Sequence, residues 1–191
     1  DGSGSGNNEL EFSDSTDADA DTVVIRPNSG TYAFEGETIS TSNTEIEPFE
    51  GGNVTFESPG SSTTITVDSG ATGVSISGIT FDHEQNNGAN AIEAAGDGTE
   101  VTVEDSTFIG QPETSDGSTP SGFVSATDAI SSLDVVDNTF EGGDNTVSGV
   151  DAVEVTNQDS VSDDIDLTVT GNTLTGLNEA IDLADTTDSG S

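Results

Sequence analysis

Four octapeptides align without gaps along this chain: VSISGITF from Val74, VTVEDSTF from Val101, LDVVDNTF from Leu133 and LTVTGNTL from Leu167. Positions one and three are aliphatic in every copy, position seven is always threonine (Thr80, Thr107, Thr139, Thr173), and position eight is large and apolar (Phe81, Phe108, Phe140, Leu174). The alternation at one and three is the period-two signature of a half-buried strand. Positions five and six hold small or turn-forming residues (Gly78, Asp105–Ser106, Asp137–Asn138, Gly171–Asn172) that accept the left-handed conformation of a tight corner. A strand that bends there and still returns position eight to the same side must wrap around a core.

A second element recurs between the octads: Thr64-Ile65-Thr66-Val67, Ala91-Ile92-Glu93-Ala94, Phe123-Val124-Ser125-Ala126, Ala152-Val153-Glu154-Val155 and Ala180-Ile181-Asp182-Leu183. Its last residue precedes the next octad by seven positions at Val67–Val74, Ala94–Val101 and Ala126–Leu133, and by twelve at Val155–Leu167. Octads therefore start 27, 32 and 34 residues apart, growing by loop insertion around a constant strand set. Units this short cannot bury their own apolar face, so neighbouring units must stack into a solenoid of parallel sheets, here of about 6–7 coils. Phe81, Phe108, Phe140 and Leu174 should then form an internal stack, and the threonines an outward column. An immunoglobulin-like sandwich gives no reason for one octapeptide to recur in register, and a propeller needs four-stranded blades of about 40 residues.

The remaining chain is assigned by the same spacing. Val54-Thr55-Phe56 is expected to begin a coil twenty residues before Val74, and Ile39 to Ile46 to repeat the seven-residue step. Residues 1–20 read as a flexible acidic Gly/Ser arm containing an edge-strand pattern, residues 21–183 as the β-helix domain, and residues 184–191 as a polar tail.

Charge narrows the partners. Thirty-eight Asp and Glu face a single basic residue, Arg26, for a net charge of −37. One arginine cannot neutralise a phosphate backbone, and an anionic membrane surface repels such a chain, so neither nucleic acid nor membrane insertion is expected. No run approaches the roughly 18 apolar residues of a spanning helix. A chain that is only 29% hydrophobic and this acidic is often disordered, but disorder predicts no apolar periodicity. In molar salt the Debye length falls to about 3 Å, which screens repulsion between surface carboxylates. The absence of lysine beside abundant Asp, Glu, Ser and Thr resembles proteins of extremely halophilic archaea. Cysteine is absent, and Asn53-Val54-Thr55 forms a glycosylation sequon, consistent with an extracellular or cell-surface location. The first residue is Asp1 rather than Met, which fits a removed leader or a piece of a longer protein.

The segment DTVVIRPNSGTY from Asp21, followed by Gly36-Glu37-Thr38-Ile39, resembles the opening coil of right-handed parallel β-helices of the pectate-lyase-like superfamily. The later V-x-V-x-x-N-x-F pattern is similar to coils of that group, and together they cover roughly residues 21–183. The resemblance implies an all-β, right-handed parallel β-helix, a fold that hosts lyases, hydrolases, adhesins and inert surface proteins alike. Lyases of the group use a Lys or Arg base, commonly with calcium, and its glycosidases carry a Gly-His-Gly-like segment and an Arg-x-Lys. Neither set is present, and Arg26 lies in the first coil.

No catalytic residue is assigned. His83 follows an octad at the mouth of a loop, where an acid-flanked histidine is expected to be solvated. Asp105 and Asp137 share a position in successive coils, close enough for paired-carboxylate chemistry, although so acidic a surface brings such pairs together by chance. Asp17, Asp19 and Asp21 begin a calcium-loop pattern, but Thr22 stands where its glycine belongs; calcium is the one cofactor left open. Neither terminus shows the amphipathic helix that would cap the exposed strand edges. Leu10 and Phe12 of one chain are expected to meet the edge at Ile181 and Leu183 of another, giving a head-to-tail filament. The alternative is that Leu10–Phe12 covers its own first coil. The functional expectation is a non-catalytic structural subunit whose partner is itself. A carbohydrate-active β-helix that degrades or binds polysaccharide, or a module of a larger surface adhesin, is the competing reading.

Overall fold

The computed structural model describes residues 23–33, 36–57, 63–83, 90–110, 122–127, 130–142, 150–156, 165–177 and 179–184. The strands run in threes. The first rung is β1 (Val23–Ile25), β2 (Gly30–Ala33) and β3 (Glu37–Ile39), and the second β4 (Thr44–Ile46), β5 (Val54–Glu57) and β6 (Ile65–Val67). The third is β7 (Val74–Ser77), β8 (Ile79–His83) and β9 (Ile92–Ala95), and the fourth β10 (Glu100–Glu104), β11 (Thr107–Gly110) and β12 (Val124–Thr127). The fifth is β13 (Ser132–Val136), β14 (Thr139–Gly142) and β15 (Asp151–Thr156), and the sixth β16 (Asp166–Thr170), β17 (Thr173–Thr175) and β18 (Glu179–Ala184). Every third strand joins the same wall, so the chain winds through three six-stranded sheets. All neighbours pair in parallel. The protein is an all-β parallel β-solenoid. The expected six to seven coils are reduced to about four enclosed turns, because the first and sixth rungs each lack one neighbour.

Each octad spans two walls. Its first half lies in wall one, with Val74, Val101, Leu133 and Leu167 in one register column and Ile76, Val103, Val135 and Val169 in the next. Its second half lies in wall two. The corner between them is the left-handed residue at position five: φ is +67° at Gly78, +49° at Asp105, +55° at Asp137 and +72° at Gly171. Aspartate tolerates this region better than most residues with a Cβ. Gly78 has a further constraint, since a Cβ there would lie 3.2 Å from Pro48 Cδ.

Position six secures that corner from one rung to the next. Asn138 Oδ1 accepts the backbone N–H of Ser106 at 2.9 Å, and Asn172 Oδ1 accepts that of Asn138 at 2.8 Å. Their amide nitrogens donate to the carbonyls of Val103 and Val135 at 2.9 and 2.8 Å. Ser106 Oγ accepts the Ile79 N–H at 3.3 Å. Buried backbone groups at a bend, which have no ladder partner, are thereby satisfied.

The interior is a stack of aromatic rings along wall two. Phe81 and Phe108 lie 5.0 Å apart with an interplanar angle of 4°, and Phe108 and Phe140 lie 4.7 Å apart at 7°. The column extends beyond the repeat to Phe56 and Tyr32, which meet their neighbours edge-on. On the outer face, Thr31, Thr55, Thr80, Thr107, Thr139 and Thr173 share one register column. The second repeat element forms wall three, with Ile65, Ile92, Val124, Val153 and Ile181 aligned inward.

The earlier rungs depart from expectation. Val54 does not begin a coil: β5 pairs Val54 with Ile79 and Phe56 with Phe81, so it lies in wall two, after the wall-one strand that starts at Thr44. Ile46 pairs with Ile76 rather than Val74, so the step from Ile39 is two residues shorter than in later rungs. The corner after Ile46 is longer than in later rungs and holds a 3-10 turn at Phe49–Gly51.

Candidate functional site

The one histidine is an interior residue. Its expected solvated position at a loop mouth is overturned: His83 is 1% exposed, at the end of β8, in the column that continues as Gly110 and Gly142. The ring fits because the rungs beyond offer no side chain there. It meets Phe123 edge-on at 6.3 Å, and Nε2 lies 3.3 Å from Thr64 Oγ1. Burial pulls its pKa down to about 4 against the opposing pull of the Asp82 carboxylate. Nδ1 is buried without a hydrogen-bond partner among the described residues, as is Asn90 Oδ1. A neutral, enclosed imidazole cannot take a proton from an external substrate.

Carboxylates converge on the outer face of wall three. The third residue of each second element forms one column, Thr66, Glu93, Ser125, Glu154 and Asp182. Adjacent rungs stand about 4.8 Å apart, so Glu154 and Asp182 are neighbours. Glu93 is held by the hydroxyls of Thr63 (3.5 Å) and Thr127 (3.4 Å) on the rungs to either side. Glu154 Oε2 accepts the Gly122 N–H at 3.2 Å. Its pKa is raised, chiefly by partial burial; the Gly122 bond opposes this, and the charges of Asp182 and Asp151 add to it. Asp151 itself is 5% exposed and pairs in register with Glu179. A carboxyl with a raised pKa beside a second carboxyl is the kind of pair that acid catalysis of glycoside cleavage uses. The repeat that contains Glu93, Ser125, Glu154 and Asp182 was legible in the sequence; their shared outward column was the signal for this cluster.

The other candidates do not assemble into a site. Asp105 and Asp137 are stacked on neighbouring rungs, but both are exposed at the left-handed corner. Arg26 is committed to Glu47 on the second rung, with Nη2 at 2.6 Å and Nε at 2.7 Å from Oε1. Asn53 is exposed just before β5, and its carbonyl accepts the Gly30 N–H at 2.9 Å. Asp17, Asp19 and Asp21, and Leu10 and Phe12, lie outside the described residues. Among the described residues no group of three or more His, Cys, Asp or Glu is arranged to hold a metal ion, and no helix is long and apolar enough to cross a membrane.

The two ends of the solenoid differ. On the first rung Tyr32 is 9% and Ile39 4% exposed, and Ile25 is half-buried. On the sixth rung, Leu174 is 43% and Leu183 65% exposed, and Ile181 beside them is half-buried. The parallel β-solenoid defines the architectural class. No family model, curated protein or solved structure matches the chain.

Proposed function

We propose that this chain is a non-catalytic, extracellular structural subunit that stacks head to tail into a surface layer or filament in high salt. The supporting observation is the edge of the sixth rung, where three parallel strands and the exposed Leu174 and Leu183 end the apolar columns and no cap stands among the described residues. Natural sheet proteins cover such edges, because unpaired N–H and C=O groups template further pairing. A copy of the same cross-section is the simplest cover, and a heterologous contact of this kind propagates. The acidic composition and absence of lysine favour an extremely halophilic archaeon as the source, and the opening coil favours the right-handed pectate-lyase-like group. Sedimentation velocity and electron microscopy across a salt series test the reading. Polymers are expected in molar salt, and a monomer at every salt and protein concentration would overturn it.

One observation favours a second reading, a carbohydrate-active solenoid. Glu154, its pKa raised chiefly by partial burial, stands in register beside Asp182 on the outer face of wall three. Release of reducing ends from an acidic or neutral polysaccharide, abolished by Glu154→Gln, would establish it.

A further inference from the structure

One corner of the solenoid is longer than its register needs. Between walls one and two the third rung runs directly from Ile76 to Ile79, whereas the second runs from Ile46 to Val54, although these residues pair with one another. The extra chain is not slack. Phe49 N–H donates to the Pro27 carbonyl at 2.9 Å, and Gly52 N–H to the Phe49 carbonyl at 3.1 Å. Between them Glu50 (φ +53°) and Gly51 (φ +69°) are both left-handed, a conformation that a non-glycine residue keeps only where its surroundings over-determine it. A Cβ on Gly52 would collide with Ser29 Oγ on the first rung.

This fixed turn displays an aromatic ring. Phe49 is 45% exposed, whereas every other described phenylalanine (Phe56, Phe81, Phe108, Phe123 and Phe140) is fully buried. Neither glycine that follows in the turn supplies a side chain to cover it.

The same corner holds a candidate cover. Asn53-Val54-Thr55 is the sole Asn-x-Ser/Thr triplet in the chain. Val54 is 1% exposed and faces the core, so strand alternation turns Asn53 and Thr55 outward together. Asn53 is exposed, and it is its backbone carbonyl that holds the rung, by accepting the Gly30 N–H at 2.9 Å. The Phe49–Gly52 turn closes within about 7 Å and one further residue adds about 3.8 Å, so the Cα atoms of Phe49 and Asn53 stand no more than about 11 Å apart. A sugar ring on the Asn53 amide reaches the Phe49 face.

We infer that Asn53 is N-glycosylated and that its first sugar lays a C–H face on Phe49. The carboxamide nitrogen attacks the anomeric carbon of a saccharide activated on a lipid phosphate. The C–N bond forms as the C–O bond to phosphate breaks, the phosphate leaves with the electron pair, and the nitrogen gives up one proton. Because β5 is paired on both sides, transfer precedes closure of the second rung. The electron-rich face of the ring then attracts the sugar's C–H groups, and the glycan stands on the side of the solenoid, clear of the sixth-rung edge. The inference rests on the extracellular part of the proposed function, since this transfer acts on exported chains.

Glu50 and Glu57 bracket the site, so a glutamate-specific protease releases Gly51–Glu57 as one peptide. In protein exported by its native cells this peptide should carry a saccharide mass, retained in Thr55→Ser and lost in Asn53→Gln and Thr55→Val. An unmodified peptide from exported protein would overturn the inference and leave the extracellular reading intact. An unmodified peptide from protein kept inside the cell would overturn both. Asn53→Gln should also lower the urea midpoint in molar salt, and that drop should at least halve in chains that carry Phe49→Ala. With the glycan present, no drop, or a drop unchanged by Phe49→Ala, would overturn the packing on Phe49. Both side chains are exposed, so neither substitution empties the core.

Discussion

Asn138 bonds to both sides of the bend in the rung before it: Oδ1 accepts the Ser106 N–H at 2.9 Å and Nδ2 donates to the Val103 carbonyl at 2.9 Å. One side chain thus satisfies a donor just past the bend and an acceptor just before it. Because Asn138 is 1% exposed, water cannot replace either bond.

Asn138→Ala should destabilise the fold by about 2–4 kcal/mol, since two buried backbone groups lose their partners. Asn138→Asp keeps the acceptor for Ser106 but sets a carboxylate against the Val103 carbonyl, so it should cost less in acid than at neutral pH. Urea unfolding in constant molar salt measures both, and a midpoint unchanged by the alanine substitution would contradict the ladder.

Phe108 is the ring stacked on both sides, between Phe81 and Phe140. Phe108→Ala should cost about 3–5 kcal/mol through lost contacts and the cavity left behind. Phe108→Leu, which refills most of that volume, should cost clearly less. Phe56 meets both Phe81 and Tyr32 edge-on rather than face to face, so comparing its truncation with that of Phe108 shows what parallel stacking adds to burial.

His83 makes stability depend on pH in a defined window. Its pKa is 6.5 when unfolded and about 4 when folded, so as pH falls below 6.5 the unfolded chain binds a proton that the native protein refuses. Stability is therefore lost between pH 6.5 and about 4, by about 3 kcal/mol in total, and the contribution is flat below that. The difference between wild type and His83→Leu isolates this from the many carboxylates. An NMR titration of the imidazole with a midpoint near 6.5 would contradict the burial.

Glu154 runs the other way. A folded pKa raised above 4.5 gives a contribution present below the unfolded pKa and lost as pH rises through the folded one. Glu154→Gln keeps an acceptor for Gly122 and removes the charge beside Asp182. At neutral pH and reduced salt it should be slightly more stable than wild type, by less than about 1 kcal/mol once solvent screening is allowed for. Its advantage should shrink as salt is raised.

Much of this was readable before any coordinates. The octad named the corner residues, the inward rings and the threonine column, because a stacked coil repeats its chemistry at a fixed register. The early rungs were misassigned because both connections differ there: the step from Ile39 to Thr44 is shorter than in later rungs and the corner before Val54 is longer, so a spacing taken from the later octads points to the wrong positions. His83 was misplaced for a related reason. Its flanks, Asp82 and Glu84, suggested solvent, but its depth is set by Gly110 one rung away. The carboxylate column of wall three was visible as a repeat, although the partial burial of Glu154 depends on Gly122, which lies 32 positions earlier.

The rung-by-rung corner caps have an evolutionary consequence. Each added coil brings the side chain that satisfies the one before it, so duplicating a coil in the gene inserts a unit already compatible with both neighbours. Length can then change in steps of about 4.8 Å with the cross-section untouched, and descendants of such a chain would differ in how many coils they count before they differ in shape.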